Sequence, residues 1–156
     1  MKTLKFFSHC YEDTLALGAR FAKFLKAGDI VCLFGDLGAG KTAFTKGIAK
    51  GLGIDPNKVH SPTFVLMNIY EAKCPVYHFD LYRIGAADLF DLGYEEFFYG
   101  KGIAVIEWSE RLGDLMPKDH WHVELKHAGG DERSVAVSFE GTALKERFTR
   151  VSGRLS

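Results

Sequence analysis

Paired cysteines are missing from this chain: its three, Cys10, Cys32 and Cys74, form no C-x-x-C unit. An odd, unpatterned set with no secretory leader legible before it excludes a disulfide scaffold and reads as reduced thiols in a cytoplasm. No apolar run approaches the roughly 20 residues of a membrane span, so no membrane role is expected. An excess of one charge is lacking too, because 20 basic and 20 acidic side chains cancel. That balance argues against tight autonomous nucleic-acid binding and leaves room only for a local patch. No repeat, low-complexity tract or linker divides the sequence, so residues 1–156 are expected to form a single domain.

What is present is an ordinary globular composition, 47% hydrophobic and 26% charged, with a legible order of elements. A short strand around Leu4 to Phe7 precedes a helical stretch marked by Leu17, Phe21, Phe24 and Leu25, with Gly28 as its stop. "DIVCLF" (29–34) and "GIAVIEW" (102–108) are continuous apolar runs, the pattern of strands buried on both faces. A helix is expected from about Lys41 to Leu52, ended by Gly53 and Pro56. "TFVLMNIYEA" and "PVYHFDLY" read as strands about a Lys-Cys-Pro turn. "AADLFDLGYEEFFYG" is helical but broken at Gly93. "HWHVELKHA" and "RSVAVSFE", joined by "GGDE", form an antiparallel pair, and a helix from Thr142 to about Arg150 closes the chain. Together these predict an α/β fold: a mixed, mainly parallel central sheet flanked by helices, with a C-terminal antiparallel strand pair.

Between the first apolar strand and its helix stands "GDLGAGKT", Gly35 to Thr42, which fits G-x-x-x-x-G-K-[ST] in the strand–loop–helix context that motif needs. Gly38 and Gly40 let the backbone turn its amides toward a polyphosphate at a helix N-terminus. Asp36, Leu37 and Ala39 complete the loop, Lys41 can reach the β- and γ-phosphates, and the Thr42 hydroxyl can ligate Mg²⁺. A P-loop enzyme also needs an acid near the metal. Glu107 ends an apolar strand and is the better metal acid on strand character. Asp80 ends a strand whose alternation puts Val76, His78, Asp80 and Tyr82 on one face, which suits orienting the attacking water. The plain alternative for either acid is a solvent-exposed strand end. In "SPTF" (61–64), Pro62 stiffens a turn where a γ-phosphate-sensing switch is common, and the Thr63 hydroxyl could face Mg²⁺ or phosphate. Position alone weighs that evenly against a simple turn leading into the strand.

In order and at compatible spacing, "GDLGAGKT", a helix and "GLG", "V.SPTF", "HFDLYR" and "IEW" resemble the TsaE (YjeE) family, the small ATPase of bacterial tRNA threonylcarbamoyladenosine synthesis. The resemblance runs from about Thr14 to Arg133. It implies an ATP- and Mg²⁺-dependent ATPase that joins a two-protein threonylcarbamoyl-transferase complex of TsaD and TsaB type. There it supports repeated turnover at the adenosine beside the anticodon, with tRNA contacted indirectly. It further implies that Gly38 to Thr42 hold the phosphates, that Glu107 joins Thr42 at Mg²⁺, and that Asp80 is needed for hydrolysis. Tyr11, Thr14 and Arg133 fall where the family approaches the nucleotide base. "SER" after Trp108 departs from the family's commoner proline or glycine.

Other readings have less behind them. A small-molecule kinase usually brings several arginines onto the transferred group, and the seven here are spread from Arg20 to Arg154. A guanine-selective switch would want an acid where "NKVH" has His60. A nucleotide-gated binding module shares every motif. His120, His122 and His127 lack metal-ligand spacing and read as polar-face residues. Trp108, Trp121, Phe97 and Phe98 read as core or partner surface ahead of base-stacking platforms, and "KERFTR" as a solvated helix face ahead of a contact with tRNA or a partner.

Overall fold

The structure is a computed structural model that describes residues 2–62 and 65–155. Its strands are β1 (Leu4–Ser8), β2 (Ile30–Phe34), β3 (Met67–Tyr70), β4 (Val76–Asp80), β5 (Ile103–Glu107), β6 (His120–His127) and β7 (Arg133–Glu140). Its helices are α1 (Tyr11–Ala22), α2 (Lys41–Gly51), α3 (Ala86–Leu92), α4 (Glu95–Phe98) and α5 (Lys145–Arg154).

All seven strands join one sheet in the order β1-β7-β6-β2-β5-β4-β3. The four central strands, β6, β2, β5 and β4, run parallel. The pairs β1–β7, β6–β7 and β3–β4 are antiparallel. The mixed α/β sheet expected from the sequence is therefore present, and its parallel character is confined to the centre. The two apolar runs lie where their composition demands: β5 is buried throughout, and β2 at all but its last residue.

Alternation along those strands feeds two cores. Val31, Leu33 and Val105 face α1, α2 and α5 together with Phe21, Phe44 and Phe148. Cys32, Ala104, Ile106 and Phe79 face α3 and α4 with Leu89 and Phe98. Gly93, with φ +76°, ends α3 and separates it from α4 as expected.

Three helix boundaries differ from the pattern, one of them the end of the last helix, which runs to Arg154 rather than about Arg150. The first helix ends at Ala22 rather than near Gly28, because the amides of Lys23, Phe24 and Leu25 fold back in tight three-residue turns on Arg20, Phe21 and Ala22. Phe24 and Leu25 continue the apolar stripe without continuing the helix. The last helix starts at Lys145 rather than Thr142, because the Asp119 carboxylate takes the Ala143 amide at 3.1 Å and holds that residue ahead of the first turn.

Candidate phosphate site

The loop after β2 turns through left-handed backbone at Gly38 (φ +78°) and Gly40 (φ +104°), conformations that L side chains rarely adopt. α2 then begins at Lys41, so its free N-terminal amides and positive dipole end face the loop's concavity. Ala39 is buried, while Asp36, Leu37 and Gly38 line the exposed rim.

Lys41 is buried, yet its ammonium is served from three directions. Nζ donates to the Gly35 carbonyl at 2.5 Å and the Asp36 carbonyl at 2.8 Å, and lies 4.2 Å from the centre of the Trp108 ring. Burial pulls its pKa down, opposed by the carboxylates of Glu107, Glu110, Asp80 and Asp36. Trp108 reaches Lys41 from a left-handed backbone (φ +59°), the one non-glycine residue in that region among those described. Ser109, buried beneath it, donates to the Ile106 carbonyl at 2.7 Å. Glu110 accepts the Gly35 amide at 3.3 Å. The "SER" departure thus contributes its own contacts to the loop.

Thr42 in the first turn of α2 meets Glu107 at the end of β5, and Asp80 ends the neighbouring strand β4. Parallel pairing of β4 with β5 sets Asp80 opposite Glu107, and the Thr42 hydroxyl donates to Glu107 Oε1 at 3.0 Å. Ser61 Oγ lies 2.9 Å from the same hydroxyl. Asp80 Oδ1 accepts the Tyr82 amide at 2.9 Å. Its pKa is raised, first by burial and then by the charge of Glu107, against the Tyr82 hydrogen bond and the charges of His78 and Lys41. Thr63 lies outside the described residues.

A chain of buried groups behind Glu107 was not foreseen. His78 is fully buried, with Nε2 at 2.5 Å from Glu107 Oε2 and Nδ1 at 3.0 Å from the Tyr70 hydroxyl. The Tyr70 hydroxyl donates to the His60 carbonyl at 3.0 Å, which accepts Asn68 Nδ2 at 2.9 Å on its other lone pair. A carboxylate can only accept, so Nε2–H donates to Glu107, while Nδ1 shares one hydrogen bond with the Tyr70 hydroxyl. Burial keeps the Tyr70 pKa above its ordinary value, consistent with a donor. Alternation had placed His78 on the Asp80 face; spacing along one strand could not reveal the partner on β5.

On the other side of Gly40, Tyr11, Thr14 and Arg133 come together with Ala43 and Asp131 around a hollow of about 210 Å³. Thr14 is buried there, its hydroxyl 2.6 Å from Ser8 Oγ, and Arg133 is steadied by the Gly130 and Glu132 carbonyls, both at 2.8 Å. Two of the three histidines of β6 are more enclosed than a polar face implies, while His127 is exposed as expected. His120 is buried with Nδ1 2.8 Å from the Pro117 carbonyl, and His122 stacks on Phe34 with its pKa lowered by burial. Trp121 lies wholly in the core as expected.

This donor set fits a magnesium-bearing nucleoside triphosphate. It offers an amide-lined loop, one buried cation, and two hard oxygen ligands, Thr42 and Glu107, in direct contact. Among the described residues no cluster of three or more His, Cys, Asp or Glu could cage a metal by itself. Mg²⁺ characteristically takes few protein ligands and shares substrate phosphates.

The model of the family described as "Threonylcarbamoyl adenosine biosynthesis protein TsaE" matches residues 8–135. A Bacillus subtilis protein named tRNA threonylcarbamoyladenosine biosynthesis protein TsaE is 40% identical over 157 residues, covering 100% of this chain and 96% of that one. A Treponema pallidum protein of the same name is 39% identical over 132 residues, 84% and 97% of the two chains. The crystal structure of Bacillus subtilis YdiB superposes with a TM-score of 0.83 at 35% identity, covering 99% of this chain and 97% of the other.

Proposed function

The chain belongs to the TsaE family of tRNA threonylcarbamoyladenosine biosynthesis, and from that membership we propose that it is a Mg²⁺-dependent ATPase. It works in the cytoplasm on a threonylcarbamoyl-transferase complex of TsaD and TsaB type and supports that complex's turnover on tRNA. The observation that carries the catalytic reading is the Thr42–Glu107 contact at 3.0 Å with Asp80 paired beside Glu107. A glycine-rich turn of purely structural use has no need of a buried carboxylate on its helix's first threonine and a second acid on the neighbouring strand.

The loop amides of Asp36 to Gly40 and the Lys41 ammonium bind the phosphates, and Lys41 moves from the Gly35 and Asp36 carbonyls to phosphate oxygens of the same hardness. Thr42 and Glu107 would hold Mg²⁺, which supplies charge neutralisation at the phosphates when bound. The Thr42 hydroxyl, by donating to Glu107, turns its lone pairs toward the cation side. Asp80 accepts a hydrogen bond from the attacking water and fixes its approach to the γ-phosphorus, whose bond to the ADP oxygen breaks as the new one forms. Thr63, following Pro62, is assigned as the γ-phosphate sensor, and Tyr11, Thr14 and Arg133 as the base-side wall.

Reconstituted threonylcarbamoyl transfer, followed over several turnovers with and without this chain, tests the proposal. ATP-dependent cycling that requires the protein and stops with Asp80→Ala is the expected result. Equal modification in its absence would overturn the assignment to turnover. Calorimetry showing that Asp80→Ala abolishes ATP binding would overturn the division of labour between Lys41 and Asp80.

A further inference from the structure

At the end of β2 opposite the phosphate loop, six cationic side chains surround one hollow of about 560 Å³: Arg20, Lys23, Lys26, Arg147, Arg150 and Arg154. Two helices gather them. Arg20 and Lys23 are three residues apart at the close of α1, and Arg147, Arg150 and Arg154 follow one another at intervals of three and four along α5, hence on one face. Arg147 is neutralised by Asp29, which it grips at 2.6 and 2.8 Å. The other five are exposed, and among the described residues none of their side chains makes a hydrogen bond or ion pair.

In a chain whose charges cancel, that concentration calls for a counter-charge. Like charges three and four residues apart on a helix repel. Helix dipoles favour cations in a last turn, which accounts for Arg20 and Arg154 but not for Arg150 in mid-helix or Lys26 beyond α1. Phe24, Leu25 and Leu155 floor the hollow, so its cations act across a partly apolar surface where charge attraction is stronger than in open water. Four of the six are arginines, whose planar fork matches phosphate oxygens.

We propose that this hollow binds the sugar-phosphate backbone of RNA directly, where the family resemblance implies only indirect contact with tRNA. One phosphate, at most doubly charged, cannot neutralise five uncompensated cations, whereas a nucleic-acid strand presents a series of charges. The chain's membership in a tRNA-modification family makes RNA the polyanion its own process supplies. The site rests on that membership and not on the ATPase reading, and it lies at the other end of the sheet from the nucleotide residues.

The test is fluorescence anisotropy of a labelled anticodon stem–loop RNA titrated with the full-length protein across a range of salt. Arg150→Ala/Arg154→Ala and Arg150→Glu/Arg154→Glu are compared with wild type, with fold checked by circular-dichroism melting. Both arginines are exposed, so neither pair removes packing that the core needs. The expected result is RNA affinity at least about tenfold weaker for the glutamate pair and a log–log salt slope shallower by about 1.5 to 2 for the alanine pair. Wild-type affinity in both variants, or no binding by wild type at low salt, overturns the site. Competition by poly-glutamate as effective as by unlabelled RNA of equal charge also overturns it, in favour of an acidic protein segment. ATP affinity is measured alongside by calorimetry; RNA binding by a protein that takes no ATP would keep this site and sink the nucleotide reading.

Discussion

At the scale of single residues, the phosphate site joins a strained ionisation to its chemistry. Asp80 is held with a raised pKa chiefly by burial, so folding favours its protonated form. Below the ordinary carboxylate range the group costs nothing. As pH rises through its elevated folded pKa, stability is lost, and that loss persists at neutral pH. Asp80→Asn keeps the shape and removes the charge on which its proposed role toward water depends. Hydrolysis should fall about 10²–10⁴-fold, while the melting temperature at neutral pH rises and the difference from wild type closes in acid. A variant that loses activity and stability together at pH 7 would contradict this. His78 acts one step further back, by holding Glu107. His78→Phe removes the donor to a carboxylate that is 2% exposed, with a stability cost of about 1–3 kcal/mol. Mg²⁺-dependent ATP affinity should weaken about 10–100-fold, while affinity for ATP without Mg²⁺, titrated calorimetrically in chelator, changes little. Equal losses with and without Mg²⁺ would reduce His78 to a packing residue. Lys41, Thr42, Asp80 and Glu107 were legible because each ends or follows an element with a readable pattern. His78, Tyr70 and Glu110 were not, because their meaning lies in contacts between strands and loops far apart in sequence.

At the scale of elements, the phosphate helix is positioned by glycines that pattern reading discounts. α1 and α2 pack backbone against backbone. A Cβ at Gly47 would collide with the Leu15 carbonyl, one at Gly18 with the Phe44 carbonyl, and one at Gly51 would sit 2.6 Å from the Ala19 carbonyl. Within a helix glycine is a liability by propensity, and hydrophobic spacing gives no sign that Gly18, Gly47 and Gly51 face a neighbouring helix. Their value appears only when the second helix is in place. Gly47→Ala would gain helix propensity if α2 stood alone. In this fold it must push α1 away, and a net destabilisation of about 1–3 kcal/mol is expected in chemical denaturation. The same displacement carries Tyr11 and Thr14 from Gly40, so ATP affinity should fall in the folded variant although residue 47 touches no part of the phosphate loop. Unchanged stability would mean that the seam is loose. Hydrophobic spacing found the strands, but it carried α1 too far, because Phe24 and Leu25 serve the same core from tight turns.

At the scale of the whole molecule, the ends of the central strands divide the charge. Carboxylates of Asp36, Asp80, Glu107 and Glu110 converge at one end around Lys41, and the basic hollow lies at the other. A net charge of zero hides this separation, because composition reports only its sum. The same hollow contains the contact that closes the fold. Asp29, at the start of β2, accepts Arg147 from α5 on both oxygens and also receives the Lys26 amide at 2.8 Å. Arg147 donates further to the Phe24 carbonyl at 2.6 Å and lies over Trp121, 5.5 Å from its ring centre. One guanidinium thus ties the last helix, the turn after α1 and the first central strand, across 118 residues of sequence. Arg147→Met preserves much of the apolar stem but leaves Asp29, a largely buried carboxylate, without its counter-charge. Breaking such a pair from one side costs about 3–5 kcal/mol, because the remaining charge stays desolvated. Adding Asp29→Asn to that variant removes the stranded charge and should recover a substantial part of the loss, so a double-mutant cycle by denaturant unfolding distinguishes the ion pair from simple packing. Additive losses in the double variant would show that α5 is held by its apolar face alone, through Phe148 and Val151, and that Asp29 is solvated well enough to stand unpaired.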